Sequence, residues 1–91
     1  MDISYDPAKN RELISRRGVS FEDVKNIFLK PHFIEDRGGS YPGQSLAVGF
    51  CKGKLWTIVF EDVEDDLGSL RWLITFWPST PNEKRKYHNG K

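Results

Sequence analysis

Residues 15–28, SRRGVSFEDVKNIF, decide how the N-terminal third of the chain folds. Ser20 followed three residues later by Asp23 predicts a capping box, in which each side chain satisfies the other residue's free amide at a helix start. Val19 and Val24 have the spacing of a hydrophobic staple, which fixes the direction of the entering chain. The segment therefore predicts a corner at which one helix ends and a second begins.

The helices on either side of this corner have their own start and stop signals. Asp6 caps free amides and Pro7 suits the first helical position, so we expect the first helix over roughly residues 7–16. Gly18 fits the left-handed position just after that helix. The second helix should end before Pro31. Its apolar stripe consists of Phe21, Val24, Ile27 and Phe28.

After Pro31 the apolar period changes from that of a helix to that of strands. The expected strands are residues 32–36, 45–51, 55–61 and 70–77, and Ile3 and Tyr5 fit a very short opening strand. Residues 37–44 are a glycine-rich loop, and CKGK at 51–54 is a turn. Because short turns join consecutive strands, we expect the sheet to be antiparallel.

Alternation along the two long strands predicts two unlike sheet faces. In the strand at 55–61, the residues expected under the helices are Trp56, Ile58 and Phe60. In the strand at 70–77, one face should hold Trp72, Ile74 and Phe76, and the other Arg71, Leu73, Thr75 and Trp77. The second of these faces is mixed in character, so it is where we expect function.

A final capping box predicts a short basic helix over about residues 81–88. Thr80 is the cap, Pro81 takes the first helical position and Glu83 follows three residues after the cap. The pattern as a whole predicts an α+β fold, with two N-terminal helices and a short C-terminal helix packed on an antiparallel β-sheet. At 91 residues we expect one domain, over residues 1–91.

The composition excludes several classes of protein. No apolar run is long enough to cross a membrane, and the N-terminal MDISYDPAKN lacks the pattern of a signal peptide. The single cysteine, Cys51, lies in an apolar run, so we expect a buried thiol in a reducing, cytoplasmic environment. The net charge is only +1, yet bases crowd both ends of the chain and acids crowd residues 61–66.

The sequence predicts neither a metal site nor a cofactor, because the two histidines are far apart and no phosphate-binding glycine motif occurs. It does contain cations and groups that transfer protons. Metal-free RNA cleavage requires a base, an acid and cations that stabilise the extra charge on phosphorus. Arg71 is the best candidate for the cation, since a guanidinium pairs with two phosphate oxygens. Tyr87, Lys52 and Lys54 are candidates to assist it, the two lysines as RNA-binding cations.

Three stretches resemble the BrnT-like toxins, a family of small toxins from bacterial toxin–antitoxin pairs. They are YDPAKN at 5–10, GVSFEDVKNIF at 18–28 and EDR at 35–37. Arg71, Glu83 and Tyr87 extend the similarity to the C-terminal part of the chain. The resemblance implies a RelE-like fold and a metal-independent ribonuclease that inhibits translation. It also implies a partner antitoxin with a ribbon-helix-helix DNA-binding domain, through which alone the toxin reaches operator DNA.

Site residues follow from the resemblance position by position. Lys9, Arg16 and Arg17 would place the RNA backbone, and Arg37 would add a further RNA contact. Arg71 would stabilise the transition state, and Tyr87 or Glu22 would assist proton transfer.

Two of the family's cations are missing. The segment Gly43-Gln44-Ser45-Leu46 lacks an acid and an arginine, and Phe76-Trp77 replaces a second arginine. The alternative function is therefore a catalytically inactive member of the same fold that binds an antitoxin or RNA.

Overall fold

A computed structural model describes residues 2–90 and shows an α+β fold, which confirms the predicted class. The strands are β1 Asp2–Tyr5, β2 Phe33–Asp36, β3 Ser45–Cys51, β4 Lys54–Asp65 and β5 Gly68–Pro78. The α-helices are α1 Pro7–Arg17, α2 Phe21–Val24 and α3 Pro81–Gly90, and a 3₁₀ segment, Lys25–Leu29, directly follows α2. No helix within residues 2–90 has the length and apolar character needed to cross a membrane.

The five strands form one mixed sheet in the order β1-β5-β4-β3-β2. Strands β2 to β5 pair antiparallel through short connections, as predicted. The prediction of a wholly antiparallel sheet is wrong at one edge, where β1 lies parallel to β5 with Asp2 opposite Leu70 and Tyr5 opposite Leu73. This pairing joins two strands that are more than sixty residues apart in the sequence, so the hairpin geometry that imposes antiparallel pairing does not apply to it.

The N-terminal corner forms as its capping signals predict. The Asp6 carboxylate accepts a hydrogen bond from the Ala8 amide at 3.0 Å, and Gly18 adopts the left-handed conformation with φ 76°. Ser20 and Asp23 form both halves of the capping box, each hydrogen bond measuring 3.0 Å.

The predicted second helix is shorter than expected, because α2 has four residues and the chain then tightens into the 3₁₀ segment. The Asn26 side-chain amide donates to the backbone oxygens of Glu22 and Asp23, at 3.3 and 3.2 Å. It thus competes for the carbonyls that a continuing α-helix would use.

The main core lies between the sheet and the helices α1 and α2 with the 3₁₀ segment. Its fully buried members include Leu13, Phe21, Val24, Ile27, Ile58, Phe60, Leu73 and Phe76. A smaller cluster lies on the opposite face of the sheet, where Tyr87 of α3 packs with Val48, Leu55 and Phe33. The sheet therefore carries its main core on the side that we call the helix face and only a smaller cluster on the other.

A bulge in β5 changes which residues share a face. Thr75 pairs with Val59 but Leu73 pairs with Phe60, so Ile74 is an extra residue. As a result Arg71 and Leu73 share the helix face with Phe76, and Trp72 shares the opposite face with Thr75 and Trp77. The predicted faces of β5 are therefore wrong before the bulge, whereas the prediction for Trp56, Ile58 and Phe60 of β4 is confirmed.

Candidate functional site

Arg71, the predicted transition-state cation, is engaged within the fold. Its Nε and Nη2 donate to the two carboxylate oxygens of Asp62, at 2.7 and 2.9 Å. Its guanidinium carbon lies 4.7 Å from the ring centre of Phe28 and 4.3 Å from that of Phe60. The side chain is 17% exposed, so Arg71 joins β5, β4 and the 3₁₀ segment on the helix face.

Glu22, a predicted proton-transfer group, also lies on the helix side of the sheet, beside β1. It accepts a hydrogen bond of 2.5 Å from the Tyr5 hydroxyl and forms an ion pair of 2.9 Å with Lys25. These two partners lower the pKa of Glu22, the Tyr5 hydrogen bond having the larger effect. The same hydrogen bond raises the pKa of Tyr5 to about 12. A carboxylate held in its ionised form in this way is a weak base.

Tyr87 lies on the other side of the sheet from Arg71 and Glu22. Its ring is buried beneath α3 against Val48 and Leu55, with Phe50 in edge-to-face contact at 5.6 Å. The three predicted catalytic residues therefore do not converge on one point in the folded chain. Their roles stay predictions, and Tyr87 has a clear structural role in docking α3.

Most of the predicted RNA-binding cations are also occupied. Lys9 and Arg16 both pair with Glu12, at 3.1 and 3.6 Å, and Lys52 pairs with Asp23 at 3.6 Å. Lys54 lies 5.1 Å from the ring centre of Trp56, and the buried Nε of Arg17 has no hydrogen-bond partner among residues 2–90.

Arg37 is arranged differently, because aromatic rings surround it and no carboxylate in residues 2–90 forms an ion pair with it. Its guanidinium carbon lies 3.6 Å from the ring centre of Tyr41 and 5.7 Å from that of Trp77. Its Nη1 donates to the side-chain oxygen of Gln44 at 2.8 Å. The loop 37–44 thus holds a planar cation above β5.

Together these residues form a surface that we call the open sheet face, consisting of Arg37, Tyr41, Trp72, Thr75 and Trp77. Tyr41 is 46% exposed and Trp72 is 36% exposed, so both rings are accessible to a ligand. Glu61, which pairs with Trp72 across the sheet, adds one negative charge beside them.

Glu83 anchors one end of the open sheet face. A single oxygen, Oε1, accepts hydrogen bonds from the Thr57 hydroxyl at 2.9 Å, the Trp77 indole at 3.1 Å and the Thr80 amide at 2.9 Å. Burial raises the pKa of Glu83, but the hydrogen bonds from Thr80, Trp77 and Thr57 outweigh it, so the pKa lies below its usual value. Glu83 therefore holds the Trp77 ring in place and caps α3 at the same time.

Sequence reasoning missed the association of Arg37, Trp77 and Glu83. The capping signal identified Glu83 only as a helix-start residue, and its bonds to Trp77 and Thr57 depend on how α3 crosses the sheet. The one available signal was the arginine that opens the glycine-rich loop 37–44.

The open sheet face has groups suited to a ligand that carries both a phosphate and an aromatic base. A guanidinium pairs with phosphate oxygens, and exposed indole and phenol rings stack on bases.

Within residues 2–90 no three His, Cys, Asp or Glu side chains are grouped to hold a metal ion. Comparison of the sequence with protein-family models gives no match, and comparison with curated proteins gives none of significance.

Proposed function

We propose that this chain is a BrnT-like toxin with a RelE-like fold, and that it cleaves RNA without a metal ion and so inhibits translation in the cytoplasm. Its partner is an antitoxin with a ribbon-helix-helix DNA-binding domain, which neutralises the toxin and carries it to operator DNA. The simplest test of this partner is whether a neighbouring gene encodes a short protein with that pattern.

The observation that carries the proposal is the way the two motif segments join in space. The Asn10 side chain, from the first segment, accepts a hydrogen bond from the Phe21 amide of the second at 2.8 Å. The Tyr5 hydroxyl donates to Glu22 in the same way, and the rings of Tyr5 and Phe21 stack 4.9 Å apart. Residues that resemble the family thus contact one another, which supports a shared fold over a chance likeness of short motifs.

The open sheet face supplies the RNA contacts in this proposal. Arg37 binds the phosphate, because its guanidinium is held by aromatic rings and forms no ion pair with a carboxylate among residues 2–90. Trp72 and Tyr41 stack on unpaired bases. Arg71 enters the reaction only if RNA displaces Asp62 from it, since both of its bonds to Asp62 use the edge that would face a phosphate.

A second candidate is a binding module of the same fold without catalysis. The observation in its favour is the separation of the predicted catalytic groups, with Arg71 and Glu22 on the helix face and Tyr87 buried on the other. Losing one preorganised charge donor typically costs roughly a hundred- to a thousandfold in rate. The two missing family cations therefore weigh towards this candidate.

A cleavage and binding assay distinguishes the two candidates. It uses purified protein and end-labelled single-stranded RNA in the presence of EDTA. The toxin proposal predicts cleavage in EDTA that Arg37→Ala reduces at least about tenfold, while Arg11→Ala, which removes an exposed cation of α1, leaves it unchanged. RNA that is bound but stays intact establishes the binding module instead. RNA that is neither bound nor cut contradicts the toxin proposal and the RNA-binding form of the second candidate, and leaves only a module that binds the antitoxin.

A further inference from the structure

Leu29 is the last residue of the 3₁₀ segment and is 83% exposed. Two neighbouring residues of the same segment point inward, since Ile27 is fully buried and Phe28 packs on the core. The tight winding of the segment therefore turns one large apolar side chain out into solvent. Scattered exposed apolar residues are normal, so exposure alone shows nothing.

The surroundings of Leu29 set it apart, because it forms the wall between two clefts. The first, which we call the β1 cleft, has a volume of about 260 Å³ and is lined by Asp2, Ile3, Lys25, Asn26, Phe28 and Leu29. The second, the Cys51 cleft, has about 270 Å³ and is lined by Asp23, Asn26, Leu29, Lys30, Cys51 and Lys52. A projecting leucine thus stands beside hollows large enough for a leucine side chain.

The charges around the two clefts are complementary. Lys25 and Lys52 are already paired with Glu22 and Asp23, respectively. Asp2 lines the β1 cleft, and Lys30 lines the Cys51 cleft on the other side of Leu29. Neither residue forms an ion pair among residues 2–90. One acid and one base that form no ion pair within residues 2–90 therefore lie on opposite sides of the projecting leucine.

We propose that a second copy of this chain docks on this surface as a two-fold symmetric dimer. A two-fold interface uses the same patch twice, so it must carry both a projection and the hollow that receives it. An axis through the β1 cleft places Leu29 of each copy in the β1 cleft of the other. The same rotation brings Lys30 of each copy to the side of the other copy's Asp2. The dimer makes two apolar insertions and two ion pairs.

Sedimentation equilibrium of the full chain, over a range of concentrations and at low salt, tests the dimer. The wild-type protein should show a reversible monomer–dimer equilibrium. Leu29→Glu should raise the dissociation constant at least about thirtyfold, as expected for a central apolar anchor. Leu67→Glu, at a residue that is 96% exposed in the β4–β5 turn, is the matched control and should change nothing.

Charge reversal tests the register of the dimer. Asp2→Lys and Lys30→Glu should each weaken association, because each places like charges together at both contacts. The double variant with both changes should restore association to near the wild-type dissociation constant. A wild-type protein that is monomeric at every concentration overturns the proposal, and so does a dimer that Leu29→Glu leaves intact. Either result leaves the RNA assays untouched, so this inference fails independently of the toxin proposal.

Discussion

Replacing Arg71 with alanine should destabilise the fold, because the structure gives Arg71 a packing role that sequence alone did not reveal. The change removes a two-pronged ion pair with Asp62 and two contacts between the guanidinium and the rings of Phe28 and Phe60. It also loosens the attachment of the 3₁₀ segment to the sheet.

The expected loss can be worked out from these contacts. The ion pair is partly exposed, with Asp62 38% and Arg71 17% accessible, so we assign it about 0.5–1 kcal/mol. Each of the two ring contacts adds about 0.5–1 kcal/mol. Arg71→Ala should therefore lower the free energy of unfolding by about 2 kcal/mol, with a fall in Tm of roughly 10 °C for a domain of this size. Arg71→Lys, which keeps the charge but not the planar fork, should lose about half as much.

Urea denaturation followed by tryptophan fluorescence measures the loss, provided that the slope of the free energy against urea is unchanged. Arg11→Ala serves as the control and should stay within about 0.5 kcal/mol of wild type. An Arg71→Ala protein as stable as that control would refute the packing role. A double-mutant cycle with Asp62→Ala should give a coupling energy of about 0.5–1 kcal/mol.

Three further outcomes follow from the structure. Gly49→Ala should cost about 1–3 kcal/mol in thermal unfolding, because the new methyl group would lie 2.4 Å from the Ile27 side chain. In an ultraviolet titration Tyr5 should ionise near its pKa of about 12, and Glu22→Gln should return it towards 10. Since folding raises the pKa of Tyr5, its contribution to stability is complete below about pH 10 and is lost as pH rises through 12. Folding lowers the pKa of Glu83, so its contribution to stability is present above its usual pKa of 4.5 and is lost at lower pH. In Glu83→Gln, the free energy of unfolding should therefore depend less on pH in that acid range.

Local signals in the sequence predicted the local parts of the fold. The caps at Asp6 and Ser20 formed as expected, since a capping bond involves residues only two or three positions apart. The turn after Cys51 also formed, with Lys52 and Gly53 at φ 52° and 77°, which is the conformation that two-residue hairpins prefer.

Apart from the early end of α2, where Asn26 bonds to nearby carbonyls, the errors concern contacts between residues distant in the sequence. The parallel pairing of β1 with β5 links strands far apart in the sequence, and a four-residue strand gives no signal of its direction. The bulge at Ile74 reversed the predicted faces of Arg71 and Trp72, because a one-residue insertion shifts every side chain before it to the other face. The alternation of apolar and polar residues along a strand does not indicate the position of a bulge.

The candidate site was only partly predictable for the same reason. Arg37 was identified as an RNA contact, but its position between Tyr41 and Trp77 arises from the closure of the loop 37–44 over β5. Tyr87 was predicted to assist proton transfer from its resemblance to a family position, whereas its ring is the part of α3 that packs on the sheet.

Induction of this gene alone, with translation rate and RNA integrity followed over time, tests the central claim most directly. The proposal predicts that translation falls and cellular RNA is cut soon after induction, and that Arg37→Ala at equal soluble expression restores both. Growth and RNA that stay unaffected by well-expressed wild-type protein would contradict the claim that this chain is a ribonuclease toxin.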